Sequence, residues 1–341
     1  MLSLHATLAR TVLAALPVLA VTPALVAQPG HRANFDGRPA SRATTGGVFA
    51  MTNEFGGNRI AAYRRAADGM LSLVGLFPTG GDGAAFDGGE GLDPLISAYS
   101  LVLTEERGGA RYMLAVNAGS NTITSLRVNA DMSLTVVDEA PTNGVGPNSI
   151  AYRDDLVYVT NIDADGVFAG EPDQEGNMTG FRLGRGGQLQ PLRNSTRALE
   201  NRPSAVQFSP DGDLLVVASI NAGSAALASG STDELVVYRV RGNGRPSRAP
   251  VGAGTSTLPF NRERRNLPSA IGFEIVRDQG VDFVVVTEAR EFQFDGAPPT
   301  LPRLQTGSVS TFELTGSGAL VPVQLDVLAG DDLFDGERTA C

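Results

Sequence analysis

The chain contains no lysine and no tryptophan, a single cysteine and two histidines. Cys341 stands at the last position, so no intrachain disulfide can form and an exported chain of this kind rests on core burial alone. His5 and His31 both precede the first regular pattern, which removes a histidine general base from any site built further along. Without lysine, all 27 basic residues are arginine; against 37 acids they leave a net charge of −10. No basic stripe stands out in the sequence, and an acidic chain without one is a poor ligand for phosphate backbones. After the N-terminus no stretch approaches the ~18 apolar residues that a membrane span needs. No G-x-S-x-G, H-E-x-x-H or C-x-x-C occurs, which excludes by motif the usual serine hydrolase, zincin and dithiol chemistries.

Glycine, by contrast, is abundant. The 41 Gly among 341 residues follow no G-X-Y period, and this points to many tight turns and hence many short strands. With 42% hydrophobic and 19% charged residues, the chain is neither a coiled coil nor a disordered tail. Residues 1–27 pair Arg10 with an apolar run interrupted by Pro17 and Pro23, the pattern of a signal peptide cleaved after Ala24 or Ala27. The alternative is a single N-terminal anchor. Residues 28–45 are polar, rich in Arg and Pro, and without periodicity, as expected of a disordered leader. Residues 46–341 form the folded unit, and export places the mature protein in the periplasm or outside the cell.

A strand pattern recurs through that unit. VFAMTN (48–53), YMLAVN (112–117), LVYVTN (156–161), LLVVAS (214–219) and DFVVVTE (282–288) are β-branched-rich runs ending in a polar residue. Each is followed by a second run: NRIAAY, NTITSL, NMTGF, DELVVY and GSVSTF. The turns ADGML, ADMSL, RGGQL, GNGRP and GSGAL then lead into a third run such as SLVGLFPT or SLTVVDEAPT. Upstream of the last four copies lies a further strand: SAYSLVLTEE, PNSIAY, PSAVQFSPDG and PSAIGFEIV. Tyr112 and Leu156 are 44 residues apart, and Leu214 and Phe283 are 69 apart. A four-strand unit at this spacing predicts an all-β fold, a β-propeller of about five blades. A β-sandwich is the alternative, but it has no need of one unit repeated in register. The first copy lacks an inner strand, and 330–341 reads like the lead-in to another one. The expectation is an open arc of about five blades; a closed five-bladed ring would need a late segment or the leader to complete the first blade.

The strings LFPTGGDGAAFDGGEGLDPLISAYSLVL, LAVNAGSNTITSLRVN, NSTR, FSPDGDLLVVAS and TAC resemble the lactonase-type seven-bladed propellers, relatives of 6-phosphogluconolactonase and carboxymuconate cyclase. The resemblance spans roughly 46–341 and is most specific in NAGSNTI and SPDG. It implies seven blades, of which this chain would hold about five, and hydrolysis or formation of a sugar or muconate-type lactone in an axial cleft. It also implies a histidine with arginines and a carboxylate in the cyclase branch, and no histidine lies within these blades.

Acid/base work would then fall to carboxylates of raised pKa, with arginine stabilising an oxyanion. Strand-end polar residues gathered at the axis are the candidates: Asn53 and Glu54, Asn117, Asn161 and Asp163, Asn221, Glu288 and Arg290. Arg202 and Arg265, near the starts of inner strands, could bind a carboxylate or phosphate in two-pronged fashion. Glu288 is the preferred acid/base, with Arg290 or Arg202 as its charge partner. An Asn that ends a strand also commonly caps a turn with its own amide, and a propeller without catalytic groups serves as a binding scaffold. GGDGAAFDGGEG (80–91) lacks the ligand spacing of a calcium loop and reads as an inter-blade loop; no metal site or cofactor is assigned from the sequence. The expected partner is a small lactone or organic acid, not a nucleic acid. Asn177 and Asn194 head glycosylation sequons, relevant in a eukaryotic source.

Overall fold

The computed structural model describes residues 44–84, 95, 97–162, 176–199, 202–220, 235–254, 269–292 and 304–328. The expected signal peptide and nearly all of the leader, together with Asp163, Asn221, Arg265 and Cys341, lie outside these residues. The described residues contain twenty strands and no helix, so none is long and apolar enough to cross a membrane.

The strands form consecutive up-and-down antiparallel groups. β1 (Thr44–Met51), β2 (Arg59–Ala66) and β3 (Leu71–Pro78) make a three-stranded first group. β4 (Leu101–Leu103), β5 (Arg111–Asn117), β6 (Thr122–Val128) and β7 (Leu134–Pro141) make the second. In the third, β8 (Pro147–Arg153), β9 (Leu156–Asn161) and β10 (Gly176–Leu183) carry an outer strand broken into β11 (Leu189–Pro191) and β12 (Arg197–Leu199). The break occurs where Ser195 Oγ accepts the Gly180 N–H at 2.9 Å and so replaces a ladder bond. The fourth comprises β13 (Arg202–Phe208), β14 (Leu214–Ile220), β15 (Leu235–Arg239) and β16 (Gly252–Gly254). The fifth comprises β17 (Ser269–Asp278), β18 (Val281–Phe292), β19 (Leu304–Leu314) and β20 (Leu320–Leu328). The single pair Ile220↔Ser269 joins the last two into one sheet.

The groups stack as blades, the second, third and fourth packed on both faces. Alternate residues of a strand point to opposite faces: Met113 and Ala115 enter a core with Ile60 of the first group, whereas Leu114 and Val116 enter one with Val157, Val159 and Phe181 of the third. Tyr158 and Met178 then meet Leu215 and Val217, and Leu214, Val216 and Ala218 meet Val284, Val286 and Phe312. This face-to-face succession is the propeller architecture expected from the continuous apolar second strands. On the fifth blade Val284 and Val286 are fully buried, and Val285 faces the other way and is partly exposed. Among the described residues, β1 pairs with β2 alone and β20 with β19 alone.

The hairpin turns before the outer strands share one conformation. Gly69, Met132, Gly187, Gly244 and Gly318 all hold positive φ. Met132 does so at 71°, a strained value for a side chain, while being almost fully buried. Its thioether lies against Gly47 of the first blade, where a Cβ would sit 3.3 Å from the sulfur.

Two registers differ from the sequence pattern. PNSIAY, PSAVQF and PSAIGF line up on their prolines, yet Pro147 pairs with Asn161, Pro203 with Ser219, and Ala270 with Glu288. The fifth inner strand is thus set two residues later; all three inner strands bulge directly after this pair, at Pro147/Ser149, Pro203/Ala205 and Ala270/Gly272, so the bulge keeps its place in the ladder and the sequence shifts past it. The strand expected over 97–106 narrows to Leu101–Leu103. Its first residues instead cross the axis: Ser97 Oγ donates to Asn148 O (2.8 Å), the Ala98 N–H to Ser204 O (3.1 Å) and the Tyr99 hydroxyl to Phe273 O (2.6 Å). Tyr99 adopts φ 65° to make this crossing. Residues 97–99 thus tie the inner strands of the third, fourth and fifth blades together.

Candidate functional site

The repeat supplies an internal alignment of the candidates. Tyr63, Leu126, Phe181, Tyr238 and Phe312 on the third strands face Val48, Met113, Val157, Leu215 and Val284 on the second. Four residues on stand Thr52, Asn117, Asn161, Ser219 and Glu288. All but Thr52 are buried, and the four buried ones point at the preceding blade by parity with the apolar residues before them.

In the second blade this position is an inter-blade clasp. Asn117 Oδ1 accepts from Asn58 Nδ2 (3.0 Å) and from the Thr79 hydroxyl (2.7 Å), both of the first blade. Its Nδ2 donates to Thr122 Oγ1 (3.0 Å) and Thr124 Oγ1 (2.9 Å). Asn161 repeats the theme: Nδ2 donates to Thr142 O at 3.3 Å and to Asn177 Oδ1 at 2.8 Å. Pro78-Thr79 and Pro141-Thr142 end the outer strands that make these bonds, and that repeated Pro-Thr is the sequence signal which could have revealed the clasp.

The other candidates are placed as follows. Asn53 sits one residue beyond the repeat position, with φ 51°, and its Oδ1 accepts the Ala84 N–H at 3.1 Å. Thr52 holds the repeat position, its Oγ1 accepting the Arg59 N–H at 3.1 Å. Glu54 is half-exposed and ion-paired with Arg59, whose Nε lies 2.9 Å from Oε2.

Glu288 is the exception. It is fully buried, and the Ser308 hydroxyl of its ladder partner donates to Oε2. Asn117–Thr122, Asn161–Asn177 and Glu288–Ser308 are therefore three versions of one cross-strand side-chain bond. Two use a neutral amide, and the fifth blade uses a carboxyl group.

Arg202, Ile220, Ser269, Ala289 and Gly307 form one row of ladder partners. This row brings Arg202 to the end of the sheet that carries Glu288 and Arg290. At ~4.8 Å per strand, Arg202 and Ala289 are on the order of 14 Å apart along the backbone. The Arg202 guanidinium is partly buried, and burial lowers its pKa. Arg290 lies opposite Thr306, and its side chain falls outside the described residues. Among the described residues no three His, Cys, Asp or Glu side chains group as a metal site.

The two segments that carry the sequence resemblance are both accounted for by the fold. NAGSNTI contains the clasp residues Asn117 and Thr122. In SPDG, Ser209 Oγ accepts the Leu214 N–H (3.0 Å), Asp211 Oδ1 accepts the Asp213 N–H (3.1 Å), and Gly212 takes φ 82°.

Neither a family model nor a curated protein matches this sequence. Solved structures similar in fold include a 6-phosphogluconolactonase-like protein of Bacteroides fragilis, with 12% identity over 86% of this chain and 84% of that one and a TM-score of 0.45. A second is the periplasmic gluconolactonase of Pseudomonas aeruginosa, with 13% identity, 82% of each chain covered and a TM-score of 0.45. A third is a protein of Lactobacillus plantarum, with 15% identity over 83% of this chain and 82% of that one and a TM-score of 0.47. At such values the likenesses carry no argument, and both fold and chemistry rest on this chain's own residues.

Proposed function

We propose that this chain is an exported lactonase-like propeller that hydrolyses, or in reverse forms, a sugar or muconate-type lactone. The observation that carries this reading is the carboxyl group of Glu288, buried where the equivalent positions hold Asn117, Asn161 and Ser219. A carboxylate costs far more to bury than an amide, so its presence at one blade calls for a task beyond clasping. The substrate class comes from the resemblance of the NAGSNTI and SPDG segments. In this reading Glu288 takes a proton from water as the water adds to the lactone carbonyl. Arg202 or Arg290 stabilises the resulting oxyanion, and the proton passes to the ring oxygen as its bond to the acyl carbon breaks. Export rests on residues 1–27, and mass spectrometry of the processed chain should find a start near Gln28.

The test is a lactone panel followed by pH-stat, with wild type and Glu288→Gln side by side. Loss of a general base should lower kcat by about 100-fold or more. Activity undiminished in Glu288→Gln would overturn the role given to Glu288. A second reading, a propeller that binds without chemistry, is favoured by the full use of Asn117 in clasping blades. It expects no turnover on the panel from either protein.

A further inference from the structure

Although the chain is acidic overall, folding gathers arginines at the outer rim of the third and fourth blades. Segments 182–197 and 239–248 hold eight arginines and no acidic residue. Arg182 Nη2 donates to Asn243 O (3.1 Å), and Arg197 Nε and Nη2 donate to Ser247 O and Pro246 O (both 2.6 Å), so the two segments lie against each other. The buried Tyr158 hydroxyl, which donates to Gly244 O at 2.6 Å, has its pKa raised by burial, an effect opposed by the charges of Arg197, Arg182 and Arg245. The pKa of Arg197 is in turn lowered, first by burial and further by Arg241 and Arg248. These five arginines, with Arg193 beside the Asn194 carbonyl that Arg197 also holds, share one neighbourhood.

They divide by what they touch. Arg197 is clamped by backbone carbonyls at Asn194, Thr196, Pro246 and Ser247. Arg182 is paired with Asp155 at 2.6 Å, the one ion pair of the group among the described residues. Arg193, Arg241 and Arg248 are exposed and make no side-chain hydrogen bond among the described residues, and the buried Nε of Arg245 has no partner there. A cluster whose inner members are fixed by carbonyl dipoles, and whose outer members hold unspent forks, is built for oxyanions.

We propose that this rim binds an anionic polysaccharide through its carboxylate or sulfate groups. The aromatic residues of the neighbourhood, Tyr158 and Tyr238, are buried, so no ring is offered for stacking a nucleobase. No exposed aromatic residue is present there to anchor in a bilayer interface. A polymer with fixed charges on an otherwise neutral chain needs only the charged forks that this rim presents. The rim is separate from the strand ends that carry Glu288, and the proposal stands whether or not lactones are turned over.

The test is titration of the intact protein with polygalacturonate and with dextran sulfate in 50 mM and 200 mM salt, with uncharged dextran as reference. Both charged polymers should bind, and about tenfold or more weakly at the higher salt, because the contacts are ionic. The triple variant Arg193→Ser, Arg241→Ser, Arg248→Ser should weaken binding about tenfold and leave the melting temperature unchanged. Arg127→Ser, an exposed arginine of the second blade, should leave binding as it was. The proposal is overturned if neither charged polymer binds at 50 mM salt or if the triple variant binds like wild type. It is also overturned if single-stranded DNA or anionic phosphatidylglycerol vesicles bind more tightly than both polymers.

Discussion

At the end of its second strand the second blade carries Asn117, and the fifth blade, at the same place, carries Glu288. Both are fully buried, both bond a hydroxyl on the adjacent third strand, and both face the blade before them. Asn117 has an even account, with two donors used, two bonds accepted and no charge to desolvate. A carboxyl group has no hydrogen to give when ionised, so Glu288 cannot close the same circuit. Because the repeat gives both residues the same place in the ladder, the comparison separates what the position does for the fold from what one residue adds.

The blade core around Glu288 should respond most. Val286→Asp places a charge between the fourth and fifth blades and should cost about 3 kcal/mol or more in chemical denaturation. Val285→Asp, one residue away on the partly exposed face, should cost less than half as much. Equal losses would mean that the two faces of the fifth blade are not distinguished as described.

The clasp comes next. Asn117→Ala removes four hydrogen bonds and leaves Asn58 Nδ2 with Val116 O, the Thr79 hydroxyl with Asn58 O and the Thr122 hydroxyl with Glu139, for an expected loss of about 2–4 kcal/mol. Glu288→Gln installs an amide like that of the second blade and should leave stability within about 1 kcal/mol of wild type or above it. A large loss of stability in Glu288→Gln would make the carboxyl a structural element, and would remove the contrast on which its chemical role rests.

Much of this was legible in the sequence because a blade strand has a period of two and a hairpin has turn residues at fixed places. The apolar runs YMLAVN to DFVVVTE all became second strands, and the turn at ADMSL formed although Met132 stands where the others have Gly. Registers were less legible. Asn53 ends its run in sequence, yet Thr52 holds the position, and the bulge that begins at Pro147 and Pro203 begins in the fifth inner strand at Ala270, two residues past its proline. The axial crossing of Ser97 to Tyr99 and the Thr79–Asn117 clasp join residues far apart in sequence, and hydropathy has no term for such pairings. The arginine rim was hidden for another reason. A net charge of −10 averages over segments that folding separates, and only the packing of 182–197 against 239–248 concentrates one sign.

The smallest effect concerns SPDG. Asp211 is held below the ordinary carboxylate range: burial opposes this, but the Ser209 hydroxyl, the Asp213 N–H and the Arg277 charge together outweigh it. A depressed folded-state pKa stabilises the protein above the unfolded value of about 3.9, and the contribution fades as pH falls through the folded value. Asp211 is 44% exposed and its Arg277 partner is 3.8 Å away, so solvent screening keeps the contribution under about 1 kcal/mol. Asp211→Asn should therefore melt slightly below wild type at pH 7, and the gap should shrink once pH falls below about 4. A gap that persists unchanged into acid would mean that Asp211 serves the turn by shape alone. A gap that closes makes SPDG a charge-assisted brace from the fourth blade to Arg277 of the fifth. In either case Asp211 acts within the fold, and Glu288 is left to decide the chemistry.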